Sequence, residues 1–80
     1  MTKEIIAKNN AITIFFYNTN EGHRPHLHIR HKNGTEAKVW LDDFSLKQSS
    51  GDKPFDSAAI KLAKQYADEA LDSWENIYGN

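Results

Sequence analysis

The strongest constraint on the fold is a pair of alternating polar and apolar segments that flank the dipeptide Asn33-Gly34. Both residues tolerate the positive φ angles that hairpin turns require, so the pattern predicts a β-hairpin. A two-residue turn would split the apolar side chains between both faces. A three-residue loop beginning at Lys32, with Gly34 left-handed, instead pairs Leu27 with Val39 and collects the apolar side chains on one face. A slip of one residue moves every side chain to the other face, so we predict the three-residue loop.

In this register, the second face of the hairpin carries polar and aromatic side chains. The predicted cross-strand pairs on that face are Arg30 with Glu36, His28 with Lys38, and His26 with Trp40. Pro25 straightens the chain as it approaches His26, because proline fixes its own φ and disfavours a helical residue before it.

Further strands are predicted on both sides of the hairpin. Residues 11–17 are β-branched and aromatic and predict a strand that is apolar on both faces, as is typical of a central or covered strand. Ile5 and Ile6 predict a short first strand, followed by a turn at Asn9-Asn10. Residues 44–46 predict a short extended piece with two apolar side chains under the core, and residues 47–53 a mobile loop.

The C-terminal part predicts a single helix. Asp56 is the predicted N-cap, with Phe55 packing on Ile60 as a hydrophobic staple. Gly79 is a suitable residue after the last helical turn. Apolar residues recur at steps of three and four and form one stripe: Ile60, Ala63, Ala67, Ala70, Leu71, Trp74 and Ile77.

Together these elements predict an α+β fold in a single domain over residues 1–80: a three- or four-stranded antiparallel meander with one long C-terminal helix on one face. The side chains predicted to meet the helix are Ile12, Ile14, Phe16, Leu27, Ile29, Ala37, Val39 and Leu41. The opposite face is predicted to be open and to carry Thr13, Phe15, Tyr17, His26, His28, Arg30, Glu36, Lys38 and Trp40. An open face rich in aromatic residues and histidine is typical of an interaction site.

Composition narrows the classes of function. Ten basic and eleven acidic residues give a net charge of -1 and a pI near 6.4, which argues against a general nucleic-acid binder. The chain has no cysteine, so a disulfide framework and a cysteine zinc site are excluded. No segment approaches the ~20 apolar residues of a membrane span, and the N-terminus is not typical of a signal peptide. We therefore expect a soluble cytoplasmic protein without membrane contact.

All four histidines lie within residues 23–31, which makes a metal site one hypothesis. His26 and His28 share a strand face about 6–7 Å apart, and His23 could supply a third ligand. Zinc or nickel would suit such a nitrogen-rich set, and copper would also fit. The carboxylates considered as further ligands are Glu36, Asp42 and Asp43.

Two other interpretations of the same cluster stay open. In a catalytic interpretation, His26 or His28 acts as general acid or base, and Arg24 or Arg30 holds a phosphate or another anion. In a structural interpretation, the charged strand discourages edge-to-edge pairing and Arg30 forms a cross-strand ion pair with Glu36. Phe15 and Trp40 would then belong to a dimer interface.

The chain also resembles a known family, domain of unknown function family 4160, from Ile12 to Gly79. The segments that carry the resemblance are His23-Arg24-Pro25-His26-Leu27-His28-Ile29, Glu36-Ala37-Lys38-Val39-Trp40-Leu41-Asp42 and Trp74-Glu75-Asn76-Ile77. Many members carry two prolines before the first strand histidine, and Arg24 stands here in place of the first. The resemblance implies a small bacterial protein, often encoded beside another small domain of unknown function and suspected of a role in toxin–antitoxin-like pairs. It implies no activity, cofactor or catalytic residue.

The leading functional hypothesis is a small non-enzymatic binding module whose partner is a protein or a second copy of the chain. Its predicted binding residues are Phe15, Tyr17, His26, His28, Arg30 and Trp40. The alternative is a metal-dependent or histidine-based enzyme, such as a nuclease-like toxin, that uses His26, His28 and Arg30 for catalysis and His23, His26 and His28 for metal.

Overall fold

The computed structural model describes residues 3–17 and 24–78, which form a five-stranded antiparallel sheet and two helices. The strands follow one another in the sheet in chain order, so the topology is a meander. Their bounds are β1 Lys3–Lys8, β2 Ile12–Tyr17, β3 His26–His31, β4 Glu36–Trp40 and β5 Leu46–Gln48, and those of the helices are α1 Lys53–Gln65 and α2 Ala67–Tyr78. The predicted α+β class and antiparallel sheet are confirmed.

The central hairpin has the predicted register. Leu27 pairs with Val39, and the other predicted pairs of β3 and β4 are also present. Gly34 closes the three-residue loop with φ +98, and the His31 amide donates to the Thr35 carbonyl oxygen at 2.7 Å. The alternation of apolar and polar residues therefore fixed the register correctly, because only this one gathers the apolar side chains on one face.

The sheet has more strands than predicted. The first strand extends beyond Ile5 and Ile6 to all six residues of β1, and the turn that follows begins at Asn9, whose side chain accepts from the Ala11 and Ile12 amides at 2.8 Å. At the other edge, β5 includes residues 47 and 48, which were predicted to be loop. This three-residue strand has no alternating pattern of its own, and it exists because β4 offers a free edge to pair with.

The prediction of one C-terminal helix is wrong in two respects. The helix begins earlier, at an N-cap formed by Asp52, whose side chain accepts from the Phe55 amide. It also breaks at Tyr66, which has φ -106 and ψ 12. Neither glycine nor proline marks this break. Of the two helices, α1 packs against β4 and α2 against β1.

Asp56, the predicted N-cap, lies inside α1 and is buried. Its carboxylate accepts from the Ser49 hydroxyl and from the Ser50 amide and hydroxyl. The Ser49 hydrogen bond is the main cause that lowers the pKa of Asp56. The carboxylate therefore ties the segment after β5 to the first turns of α1.

The core lies between the helices and one face of the sheet, as predicted. All of the predicted helix-facing strand residues belong to it or pack against it. The helix stripe is confirmed from Ile60 to Trp74 but not at Ile77, which is 38% exposed. Gly79 lies outside the described residues. Within the part of the chain that the structure describes, neither helix is long and apolar enough to cross a membrane.

Candidate functional site

The site lies on the sheet face turned away from both helices, which we call the second face. Cross-strand pairing places Phe15 beside His28 and His26 beside Trp40 on it. The six predicted binding residues lie together here, and we call them the histidine–aromatic cluster: Phe15, Tyr17, His26, His28, Arg30 and Trp40. His23, the seventh residue of the predicted sites, lies outside the described residues.

The centre of the cluster is buried, contrary to the expectation of an open face. Phe15 is 0% exposed, His28 3% and His26 4%, whereas Tyr17 and Trp40 are half-buried. The Phe15 and His28 rings stack at 5.0 Å, and Tyr17 meets His28 edge-on at 5.1 Å. The rings thus cover one another. The alternation of residues in the sequence could not predict this, because it indicates on which face a side chain lies but not how deeply it is buried.

Glu36 connects the buried histidine to the arginine of the cluster. Its carboxylate accepts from Arg30 Nε at 2.7 Å and lies 3.0 Å from His28 Nδ1. Burial alone would raise the pKa of Glu36, but the hydrogen bonds from His28 and Arg30 and the charge of Arg30 outweigh it, so the pKa is lowered. The predicted pair of Arg30 with Glu36 is confirmed, and it also fixes the His28 ring.

His26 lies at the junction of the second face with the helix side. Its ring is 5.4 Å from Trp40 and 5.6 Å from Trp74 of α2, and His26 Nδ1 lies 3.0 Å from the carbonyl oxygen of Arg24. The contact with Trp74 was not predicted, because the apolar stripe places Trp74 in the helix core alone. The His26 side chain therefore contacts both the second face and the helix α2.

Long cationic side chains cover the outer surfaces of the rings. Arg30 and Lys3 lie 4.9 and 4.8 Å from the centre of the Phe15 ring. Arg24 and Lys47 lie 4.0 and 5.5 Å from the centre of a Trp40 ring. Such contacts shield aromatic surface while the charge stays in water. The roles of Lys3 and Lys47 were missed, since neither residue belongs to a recognisable motif.

The aspartates after β4 hold Arg24 rather than a histidine. Asp42 accepts two hydrogen bonds from Arg24, at 2.7 and 2.8 Å, and Asp43 lies 3.6 Å from the same guanidinium. The hydrogen bond from Arg24 is the main cause that lowers the pKa of Asp42. The pairing of oppositely charged residues 18 positions apart depends on how β3 and β4 are aligned.

The predicted metal ligands are only partly brought together. The His26 and His28 rings are 5.3 Å apart. Among residues 3–17 and 24–78, no group of three or more histidine, aspartate and glutamate side chains has a geometry that could hold a metal ion. The hypothesis that includes His23 stays a prediction.

Comparison with protein families places this geometry in a known group. Residues 11–75 match the family described as Domain of unknown function (DUF4160). The chain belongs to this family. The resemblance noted in the sequence is thereby confirmed, over the span that contains the whole hairpin and most of both helices. Neither a search of curated proteins nor a search of solved structures found a significant match.

Proposed function

We propose that this member of the family is a small cytoplasmic, non-enzymatic module that binds a protein on the second face of its sheet. The observation that carries the proposal is the position of the histidine–aromatic cluster. It lies on the sheet face that does not form the helix core, and its histidines and Arg30 hydrogen-bond to Glu36 and to the Arg24 carbonyl. It presents the half-buried rings of Tyr17 and Trp40. Binding surfaces of this kind are enriched in aromatic residues and arginine.

The sheet edges support the same conclusion, because both are unsuited to pairing with another chain. The register of β1 shifts between Ile5 and Ala7, and lysines stand at both of its ends. The edge strand β5 has only three residues and is also irregular. Bulges, lysines and short strands protect sheet edges from association. The second face is therefore the better surface for a partner.

Binding is favoured over catalysis by the burial of the two histidines. A general acid or base must come within hydrogen-bonding distance of its substrate. His26 and His28 lie beneath aromatic rings, and their Nδ1 atoms face the Arg24 carbonyl and the Glu36 carboxylate. Their role in the proposal is to hold the cluster in shape.

The partner class that we propose is a protein, and a toxin–antitoxin-like pair is the proposed context. The test is to express the chain together with the product of the adjacent gene and to measure their affinity after purification. Trp40→Ala should weaken binding by about 2 kcal/mol, roughly 30-fold, as expected of a central aromatic contact. Tyr66→Ala is the matched control, since Tyr66 is a half-buried aromatic residue on the helix side.

Both variants must keep the wild-type circular dichroism spectrum. A folded Trp40→Ala protein that binds as tightly as the wild type would show that the second face is not the binding surface. Equal losses in both variants would show a general loss of stability rather than a lost contact.

A histidine-based or metal-dependent enzyme is the second candidate function, and the 5.3 Å separation of the His26 and His28 rings is what favours it. Titration calorimetry of chelator-treated protein with zinc and nickel tests it. Micromolar binding that His28→Ala abolishes, together with toxicity on expression that the same substitution removes, would replace the binding proposal.

A further inference from the structure

Charges of opposite sign lie on the second face and on α2. On the second face, Arg24 and Arg30 are neutralised by acidic neighbours, but Lys3, Lys38 and Lys47 lie in no ion pair with any described residue. Lys38 precedes the cluster residue Trp40 by two positions on β4, Lys47 lies 5.5 Å from the Trp40 ring, and Lys3 is on the edge strand β1. This face therefore presents unpaired positive charge around half-buried aromatic rings.

The second helix, α2, has the opposite character. It carries four acidic side chains and no basic one. All four are exposed, and within the described residues none lies in an ion pair. Asp68 and Glu69 complement the positive end of the helix dipole, but Asp72 and Glu75 lie beyond the first turn and have no such local role.

Two large hydrophobic side chains are exposed in the described part of the chain. Ile5 is 53% exposed, and its pairing with Phe15 places it on the second face. Ile77 is 38% exposed near the C-terminal end of α2. Ile5 therefore adds an exposed aliphatic side chain to the second face.

We infer that the second face binds α2 of another copy of this chain, so that the protein associates head to tail through complementary charge. The inference rests on the proposed function, because it names the occupant of the same surface. The dimensions agree. A helix of 12 residues is about 18 Å long, and a sheet of five strands is about 19 Å wide.

Such contacts join two different surfaces, so copies extend into rings or chains instead of stopping at a symmetric dimer. The attraction is electrostatic and must weaken as salt shortens the screening length. Sedimentation velocity over a range of protein concentrations should therefore show association at low salt that disappears at high salt.

Two double variants test the two surfaces independently. Lys38→Glu with Lys47→Glu reverses the charge of the face, and Asp72→Lys with Glu75→Lys reverses that of the helix. Each protein alone should associate at least about tenfold more weakly than the wild type, because like charges then meet at the contact. Mixed in equal amounts, the two should associate again, because the unchanged face of one meets the unchanged α2 of the other and the two reversed surfaces also carry opposite charge.

Lys61→Glu with Lys64→Glu is the matched control, since it makes the same change of charge on α1 and should leave association intact. A wild-type protein that stays monomeric at low salt, or a mixture that fails to associate, would overturn the inference. The same two variants also test the proposed function through their binding to the product of the adjacent gene. If the face variant loses this partner, the helix variant keeps it, and both still self-associate like the wild type, the proposed function holds and the head-to-tail contact does not exist.

Discussion

The two faces of the sheet are both buried, but by different means. On the helix face, aliphatic and aromatic side chains meet alanines and Trp74 of the helices. On the second face, the buried rings of Phe15 and two histidines contact one another and their aromatic neighbours. Lys3 and Arg30 lie over Phe15, and Arg24 and Lys47 lie over Trp40. The first face gains its stability from apolar area removed from water. The second needs an acceptor for each of its buried donors.

This difference shows how side chains alone can cover a sheet face that does not pack against the helices. Long cationic side chains cover the rings in place of a second layer of structure. Flexible side chains of this kind can rearrange more readily than the residues of the helix face, which pack against two helices. The comparison leads to four predictions.

The largest effect is expected on the helix face. Phe16 is fully buried, and its ring lies 4.9 Å from Trp74 and 6.3 Å from Tyr78. Phe16→Ala should reduce the free energy of unfolding by about 3–5 kcal/mol, since packed helices cannot collapse into the space. Urea denaturation followed by circular dichroism measures the change. A loss below that of Phe15→Ala would reverse the ranking of the two faces.

Phe15→Ala should have a smaller effect, although Phe15 is as buried as Phe16. We expect about 2–3 kcal/mol, because the flexible side chains of Lys3 and Arg30 can settle into part of the cavity. The same denaturation experiment applies, with Phe16→Ala as its reference. Equal losses in both variants would show that the second face is packed as rigidly as the first.

Glu36→Gln tests the polar contribution to the second face. The substitution weakens the charged hydrogen bonds to Arg30 and His28 and should cost about 1–2 kcal/mol at neutral pH. The pKa of Glu36 is lowered below the ordinary 4.5 in the folded protein. Its carboxylate therefore stabilises the fold above pH 4.5, and this contribution disappears as the pH falls through the folded pKa.

The measurement is a pair of unfolding curves for wild type and variant, at neutral pH and well below pH 4.5. The difference between the two proteins should shrink in acid. A difference that is independent of pH would mean that the ionised carboxylate is not what stabilises the cluster.

The smallest effect on stability is expected for Arg24→Ala. The guanidinium and Asp42 are both well exposed, and exposed ion pairs contribute little. The thermal midpoint should stay at the wild-type value, while acrylamide quenches Trp40 fluorescence more strongly because its cover is gone. Trp74 is buried and contributes little to the change. A marked fall in the midpoint would show that Arg24 helps to hold the fold.

Much of this structure followed from local pattern. The period of two in β3 and β4 predicted the register, and the helix-facing set was correct because one face of a small sheet must collect its apolar residues. The break at Tyr66 was not predictable, since the apolar stripe continues through it. Asp56 was wrongly predicted to be the N-cap because any aspartate just before an apolar stripe fits that pattern. The true N-cap, Asp52, lies four residues earlier.

The sequence by itself determined which side chains share a face, the hairpin loop and the family. Each depends on alternation or on motifs between near neighbours in the chain. Only the tertiary structure decided the depth of His26 and His28, the covering of Trp40 by Arg24 and Lys47, and the strand β5. These features depend on distances between residues far apart in the chain, which are set only when the sheet and the helices have packed.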